Sequence, residues 1–463
     1  MLTYDLSQRG NTPLYDYLYQ CIREDIIAGR LAPGERLPSK RTLAQHLSIG
    51  VITVTNAYAQ LLTEGYIRSV EKKGYFIADV SSYRVPQKAS PEVAKAKTEP
   101  DYFADFKANR ISLQNFPMAT WTHLMRETLS ISKNELWQTV PWNGLAILRT
   151  AIADYLRSNR AMHVDPEQIV IGAGTEYLYS RLLQLFGPAT TFAIEEPGYK
   201  KFGEISQSFG NPWKYVPIDD EGMKIDLLEE SGADVVHVSP ANHFPTGIVM
   251  PVTRRLELFR WVNRIRKRYI IEDDYDSEFR YTGKFILPLY AQDTQHRVIY
   301  LNTFSKTLVP SLRISYMVLP PQLLTRYRDA QSFYSCTVSS FEQYTLALFL
   351  NKGYFERHIN RMKKYYRTQR AAMLDAIRKS PLHAFSVVTE RKAGTHFLLT
   401  VNTSLAQEEI RSRAKKMGLH LSFFDDYRHT PAQADAVTLV INYAGIPHEK
   451  ISEAVTRLAE IFR

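Results

Sequence analysis

Residues 300–307 read Tyr300-Leu301-Asn302-Thr303-Phe304-Ser305-Lys306-Thr307, and the run closes at Arg313-Ile314-Ser315-Tyr316. A lysine directly after a serine, at the end of a strand-like apolar run, suits a Schiff-base lysine. An anchored backbone and surroundings that favour the neutral amine let it attack an aldehyde. Thr303 and Ser305 offer hydroxyls and Arg313 a bidentate fork, a set matched to a dianionic phosphate. Ser-Lys by itself describes a solvated surface lysine equally well, so the neighbouring segments decide.

Upstream lies Ile270-Ile271-Glu272-Asp273-Asp274-Tyr275-Asp276. Acidic residues at the C-terminal end of a parallel strand sit where α/β sheets place ligands. A buried carboxylate there can keep a pyridine nitrogen protonated, which makes such a ring an electron sink. Gly172-Ala173-Gly174-Thr175-Glu176 ends one strand and opens a helix, whose N-terminal N–H groups suit phosphate. Glu196-Pro197-Gly198-Tyr199 can bring an aromatic over the ring, and Asn242-His243-Phe244-Pro245-Thr246-Gly247 offers polar groups to a ring hydroxyl. Strand-like runs at 169–171, 191–194, 235–238, 269–271 and 298–300 alternate with helical stretches. That alternation predicts an α/β body with a mostly parallel sheet. From about Lys352 a long basic helix precedes runs near 397–401 and 438–443, which predicts a smaller α+β subdomain.

At the other end, Leu14, Leu18, Cys21, Ile22 and Ile26 recur at helical spacing, with Pro13 in the first turn and Gly29 as the stop. Ser39 caps a short helix carrying Leu43, Ala44 and Leu47. After a turn at Ser48-Ile49-Gly50, a second helix from about Val51 places Val54, Ala57, Tyr58, Leu61 and Leu62 on its apolar face. This is a helix-turn-helix, followed by a hairpin whose tip is Glu71-Lys72-Lys73. Residues 1–80 therefore read as a winged helix for double-stranded operator DNA. Ser39, Lys40 and Arg41 lie where a helix start meets phosphates or base edges. Thr53, Thr55 and Asn56 lie near the start of the helix expected in the major groove, and Lys72 and Lys73 on the wing.

Residues 81–100, SSYRVPQKASPEVAKAKTEP, have few apolar side chains and no sustained period, and read as a linker between head and body. A flexible chain of that length spans roughly 25 Å. The net charge is +10, yet residues 1–80 hold nine Lys and Arg against eight Asp and Glu. Much of the excess lies at 254–268 and 357–370, which read as solvated helix faces or as a track for DNA phosphates. No apolar run approaches a membrane span, and the first residues lack a signal-peptide core. Cys21 and Cys336 fall in different predicted domains, so a reducing, cytoplasmic setting is expected, and no metal site.

Three head motifs resemble the GntR group of bacterial regulators: Leu37-Pro38-Ser39-Lys40-Arg41-Thr42-Leu43-Ala44, Thr53-Val54-Thr55-Asn56-Ala57-Tyr58 and Leu62-Thr63-Glu64-Gly65-Tyr66-Ile67. Residues 101–463 resemble fold-type I aminotransferases, through Phe116-Pro117 with Trp121, Gly144 with Leu148-Arg149, the acidic run 272–281 and the lysine run. A head and body so joined resemble the MocR/GabR family of regulators, whose cofactor is pyridoxal 5′-phosphate. The resemblance implies that Lys306 forms the Schiff base and Asp273 pairs with the pyridine nitrogen. Tyr275 then reaches the ring hydroxyl, Tyr199 stacks on the ring, and Gly174, Thr175, Thr303, Ser305 and Arg313 surround the phosphate. It also implies a homodimer, with the head of one chain over the body of the other, and paired DNA half-sites.

The chain departs from these patterns in five places. Gly50-Val51 replaces the Ser-Arg that often opens the recognition helix. Phe244 precedes Pro245, so the ring oxygen falls to Asn242 or His243, and Ser315 stands where a glycine is usual. The strand ending Val440-Ile441-Asn442-Tyr443-Ala444-Gly445 lacks the arginine with which aminotransferases clamp a carboxylate. Lys201 stands where a GABA-responsive relative has arginine, and Arg428 is a substitute clamp. The expected function is a regulator sensing an amine, an amino acid or pyridoxal phosphate itself, with at most a residual half-reaction. The alternatives are a working aminotransferase carrying a DNA-binding head, and a repressor whose body is purely structural.

Overall fold

The computed structural model describes residues 2–80, 101–107, 115–130, 134–281, 286–391, 393–430 and 436–463. The chain divides into two units, Met1–Glu99 and Pro100–Arg463. The linker expected at 81–100 lies outside the described residues.

In the first unit, α1 (Leu14–Ile27) follows Pro13 and ends at Ala28, with Gly29 at φ +75° completing the stop. Ser39 caps α2 (Lys40–His46) by accepting from the Thr42 amide at 3.1 Å. A turn with Ser48 at φ +54° leads into α3 (Val51–Thr63). The wing pairs β1 (Ile67–Val70) antiparallel with β2 (Gly74–Ile77). Leu18, Ile22, Leu43, Val54, Ala57, Tyr58, Leu61 and Ile77 share one core. Leu62 departs from the expectation: it is exposed. It lies about 100° around the helix from Leu61, past the edge of the buried stripe.

The second unit opens with β3 (Ala104–Asp105). Its main sheet contains β4 (Ile169–Gly172), β5 (Phe192–Glu196), β6 (Trp213–Asp219), β7 (Gly222–Met223), β8 (Val235–Val238), β9 (Tyr269–Asp273), β10 (Val298–Thr303) and β11 (Ser315–Val318). Their order is β4-β11-β10-β9-β8-β5-β6-β7. Neighbours from β10 through β6 run parallel, while β11 and β7 run against theirs. All residues of β4, β8, β10 and β11 are buried. A parallel sheet covered on both faces requires such runs. Ile169 and Ile171 enter one apolar layer and Val170 the other, as alternation along a strand dictates.

The C-terminal part holds β12 (Ser386–Thr389), β13 (His396–Asn402), β14 (Leu419–His420) and β15 (Ala436–Asn442). β12, β13 and β15 form an antiparallel sheet, and β14 pairs with β3. The 26-residue helix Tyr354–Lys379 shares their core through Tyr366, Met373 and Ile377.

In the two basic stretches most cations are exposed, among them Arg260, Arg264, Arg266, Arg357, Lys364 and Arg367, but four arginines are held by partners. Arg254, Arg255 and Arg268 are buried. Arg254 pairs with Asp219, Arg268 forks onto Glu229, and Arg255 donates to the carbonyls of Met250 and Leu287. Arg370 of the long helix pairs with Glu390, just past β12. Buried cations need such partners, because an unpaired charge in the interior is expensive. Among the described residues, no helix is long and apolar enough to cross a membrane.

Leu301 is fully buried at the centre of the sheet. Leu301→Ala is expected to destabilise the body by about 2–5 kcal/mol, read as a lower urea midpoint with an unchanged slope.

Candidate functional site

The C-terminal ends of β4, β5, β8, β9 and β10 converge on a cavity of ≈ 460 Å³. Lys306 sits on a single helical turn, Phe304–Thr307, that begins as β10 ends. Thr303 caps that turn by accepting from the Ser305 amide at 3.1 Å. Burial pushes the Lys306 ammonium below the usual lysine range, while Asp276 and Asp273 pull the other way.

Asp273 closes β9, the neighbouring parallel strand. Burial first, then Asp274, lifts its carboxyl to about 7, with Lys306 opposing. Its Oδ1 is buried without a hydrogen-bond partner, and its Oδ2 lies 3.7 Å from Nε2 of His237. Burial lowers His237 to about 3, so this ring is neutral. Asn242 donates to both oxygens of Asp276 at 3.0 and 2.8 Å and approaches the Tyr275 hydroxyl at 3.5 Å. His243 has Nδ1 2.7 Å from Thr246 Oγ1 and Nε2 3.6 Å from Glu195. Glu195 accepts from the Ser239 amide at 3.0 Å, and burial lifts its carboxyl to about 8.

The other end of the cavity is built for an anion. Gly174 stands at φ +98° before the helix Thr175–Phe186. A Cβ there would lie 2.5 Å from Nη2 of Arg313, so the approach is open only to glycine. Hydroxyls of Thr175, Ser315 and Thr303 form a chain at 3.4 and 2.8 Å, and Ser305 Oγ is buried without a partner. Arg313 reaches the Ala173 carbonyl at 3.4 Å and Glu176 at 3.3 Å. The free Asp273 Oδ1, the free Ser305 hydroxyl, the depressed Lys306 amine and the Gly174–Arg313 approach each fit a phosphorylated pyridine aldehyde. Buried polar atoms left without partners are costly, and such a ligand completes them.

Of the residues singled out from sequence, Lys306, Asp273, Tyr275, Tyr199, Gly174, Thr175, His243, Thr303, Ser305 and Arg313 all line this cavity. Asn242 stands outside the lining and acts through Tyr275 and Asp276. The two substitute clamps, Lys201 and Arg428, stand outside the lining, each next to a residue of it: Glu176 and Tyr427. Lys201 is held by Glu176 at 2.6 Å, and Arg428 lies over the Phe424 ring at 4.9 Å. The lining also includes His396, Tyr427 and Asn442, with Phe244 edge-on to His396 and Tyr427 at 5.0 and 4.8 Å. Among the described residues, the Lys and Arg side chains lining the cavity are Lys107, Lys306 and Arg313. Sequence reasoning passed over Lys107, Glu195, His237 and His396. A single histidine inside the apolar run Val235-Val236-His237-Val238 was the one legible signal.

In the head, Arg41, Asn56, Lys72 and Lys73 are exposed, while Lys40, Thr53 and Thr55 are half-buried. Ser39 is occupied as a cap, and Lys40 lies 5.2 Å over the Tyr75 ring. Lys72 takes φ +56° at the hairpin tip. Arg36, which the motifs did not mark, lies beside Gly74, next to the tip of the wing.

Residues 105–458 match the family described as aminotransferase class I and II, and residues 14–77 match the bacterial regulatory proteins of the gntR family. The chain is 37% identical to the HTH-type transcriptional regulator YdeL of Bacillus subtilis, over 98% of this chain and 97% of that protein. It is 29% identical to the probable rhizopine catabolism regulatory protein MocR of Rhizobium meliloti, over 99% of this chain and 95% of that one. Among solved structures it is similar to the kynurenine aminotransferase of Pyrococcus horikoshii, with a TM-score of 0.69 and 26% identity, over 78% of this chain and 91% of that chain.

Gly174→Ala is expected to displace Arg313 and weaken pyridoxal phosphate binding about tenfold or more, read by spectroscopic titration. Asp273 keeps its proton to about 7 in the folded chain but only to 3.8 when unfolded. It therefore stabilises the cofactor-free fold at low pH, and this contribution is lost as pH rises toward 7. The melting-temperature gain of Asp273→Asn over wild type should grow between pH 4.5 and about 7 and then level off. A pH-independent difference contradicts this account.

Proposed function

The chain belongs to the MocR/GabR family of transcription regulators, with a gntR-family DNA-binding head and an aminotransferase-type body for pyridoxal 5′-phosphate, and on that premise we propose that an amine reaching Lys306 controls how the heads hold operator DNA. The observation that carries this reading is Lys306 itself, a buried amine beside a carboxylate with one free oxygen. When bound, pyridoxal phosphate supplies an aldehyde that captures primary amines and a ring that accepts electron density. The chain's own groups prepare for it. Burial favours the neutral amine of Lys306, and Asp273 Oδ1 is placed to hold a proton on a ring nitrogen. Tyr275 and Tyr199 would meet the ring, and Thr175, Ser305 and Arg313 would hold the phosphate, all five lining the cavity.

One wall residue favours sensing over turnover. Asn442 ends β15 and lines the cavity, its Oδ1 accepting from the Ala444 amide at 3.0 Å, and with Val440 it gives a neutral face to the strand on which aminotransferases carry a carboxylate-clamping arginine. The effector is an amine or amino acid, or pyridoxal phosphate itself. The working divisions are a winged helix at 1–80, a linker at 81–100 and a body at 101–463, with the smaller subdomain from about 352. Exposed Trp137 and Phe333 on the body support a homodimer that sets two heads on paired half-sites in the cytoplasm. Arg41, Asn56, Lys72 and Lys73 then meet DNA directly. An effector regulates only through unequal affinity for the two arrangements of the heads.

Pyridoxal phosphate added to wild type should produce an absorbance band near the visible edge, and Lys306→Ala should lack it. An effector amine should shift the band and change affinity for operator DNA in the same concentration range. Saturated wild type without a band would remove Lys306 from the reading. Sustained turnover of amino acid with 2-oxo acid would make the body a working aminotransferase.

A further inference from the structure

A second cavity, of ≈ 280 Å³, lies between the end of the helix Ala146–Arg160, the turn at Ser277 and Glu278, and the first half of the helix Tyr354–Lys379. It carries charges of both signs: Arg160 and Lys363, Glu278 and Glu356. Arg160 pairs with Asp274 through Nη2, which leaves its Nε buried and unpartnered. Glu278 accepts from the Tyr155 hydroxyl on Oε1 at 3.3 Å, and its Oε2 has no partner. Glu356 Oε2 and Ser277 Oγ are likewise buried and free. Arg160 and Glu278 expose only 3% and 7% of their surface. Among the described residues, Lys363 has no hydrogen-bond or ion-pair partner, though it is half-buried and feels the charge of Glu278.

Unpartnered buried groups of both signs are unfavourable unless something in the cavity completes them. A ligand of one charge would satisfy one pair and repel the other. A molecule with an ammonium at one end and a carboxylate at the other answers both, with its cation on Glu278 Oε2 and Glu356 Oε2 and its anion on Lys363 and Arg160 Nε. We propose that this cavity is a second ligand site, separate from Lys306, for a small zwitterionic amino acid. Through the Arg160–Asp274 pair it touches the segment that carries Asp273, and Ser277 directly follows Asp276. Occupancy here is therefore linked to the cofactor cavity by contiguous residues. The proposal stands on this cavity's own residues and does not require cofactor chemistry.

The test is equilibrium dialysis of radiolabelled amino acids, the common α-amino acids and β-alanine, against the full chain carrying Lys306→Ala. Stripped of cofactor, that background holds no aldehyde to capture an amine in the first cavity. The expected result is saturable binding of one molecule per chain. Adding Lys363→Met or Glu356→Gln should weaken it about tenfold or more, with unchanged thermal unfolding, while Lys363→Arg retains it. No saturable binding by any probe would mean a water-filled cavity and would overturn the proposal. Binding indifferent to both second-cavity substitutions, or seen only when Lys306 is present, would overturn it equally.

Discussion

Asp273 pairs in register with Leu301 across the parallel strands β9 and β10, and Lys306 follows on the turn after β10. That register constrains most of the rest. It places a carboxylate and an amine side by side at the mouth of a covered sheet, where neither is fully solvated. Burial therefore pulls both groups toward their neutral forms, the carboxyl upward and the amine downward. Two strands out of register by one residue would turn one of these side chains to the opposite face of the sheet.

The surroundings hold a concentration of buried acids that a stable fold alone does not need. Glu195, Glu272, Asp273 and Asp276 are all lifted, first by burial, to about 7 or 8. Glu272 is the structural member, accepting from the Leu289 and Tyr290 amides at 2.8 and 2.9 Å. Asp274 is fixed by Arg160 and by the Tyr300 hydroxyl at 2.6 Å. Asp273, lying between these two anchored acids in sequence, keeps one oxygen free. Its position is thus set by neighbours while its chemistry stays available, which is how a preorganised site is supported. A ligand that completes such groups stabilises the folded chain by mass action.

The anion end follows the same logic through backbone. Gly174 admits Arg313 because it has no Cβ, and Ser315 adds a hydroxyl to the chain between Thr175 and Thr303. The serine that breaks the usual glycine pattern is thereby accounted for. On β15 the departure runs the other way, since Val440 and Asn442 line the cavity with neutral side chains.

Much of this was legible in residue order. The Ser39 cap, the Ser48–Gly50 turn, the alternation of buried strands and helices, and the lysine run each depend on local spacing or on motifs within a few positions. So the winged helix, the mostly parallel sheet and Lys306 could be read directly. Other features required the fold. Leu62 misled because a stripe's edge is set by what packs against it. The partner of Lys201 likewise came from the fold, since Glu176 lies 25 residues away in the chain, whereas Arg428 over Phe424 is a local contact four residues apart. Arg254, Arg255 and Arg268 looked like surface charge until their partners at Asp219, Met250 and Glu229 closed around them. Glu195, His237, His396 and Lys363 gained meaning only from distant elements brought together. Sequence by itself determined the elements and the place of Lys306 at a strand end, because their causes are local. Tertiary structure decided which charges are free, because burial and pairing are properties of neighbours that the chain order does not contain.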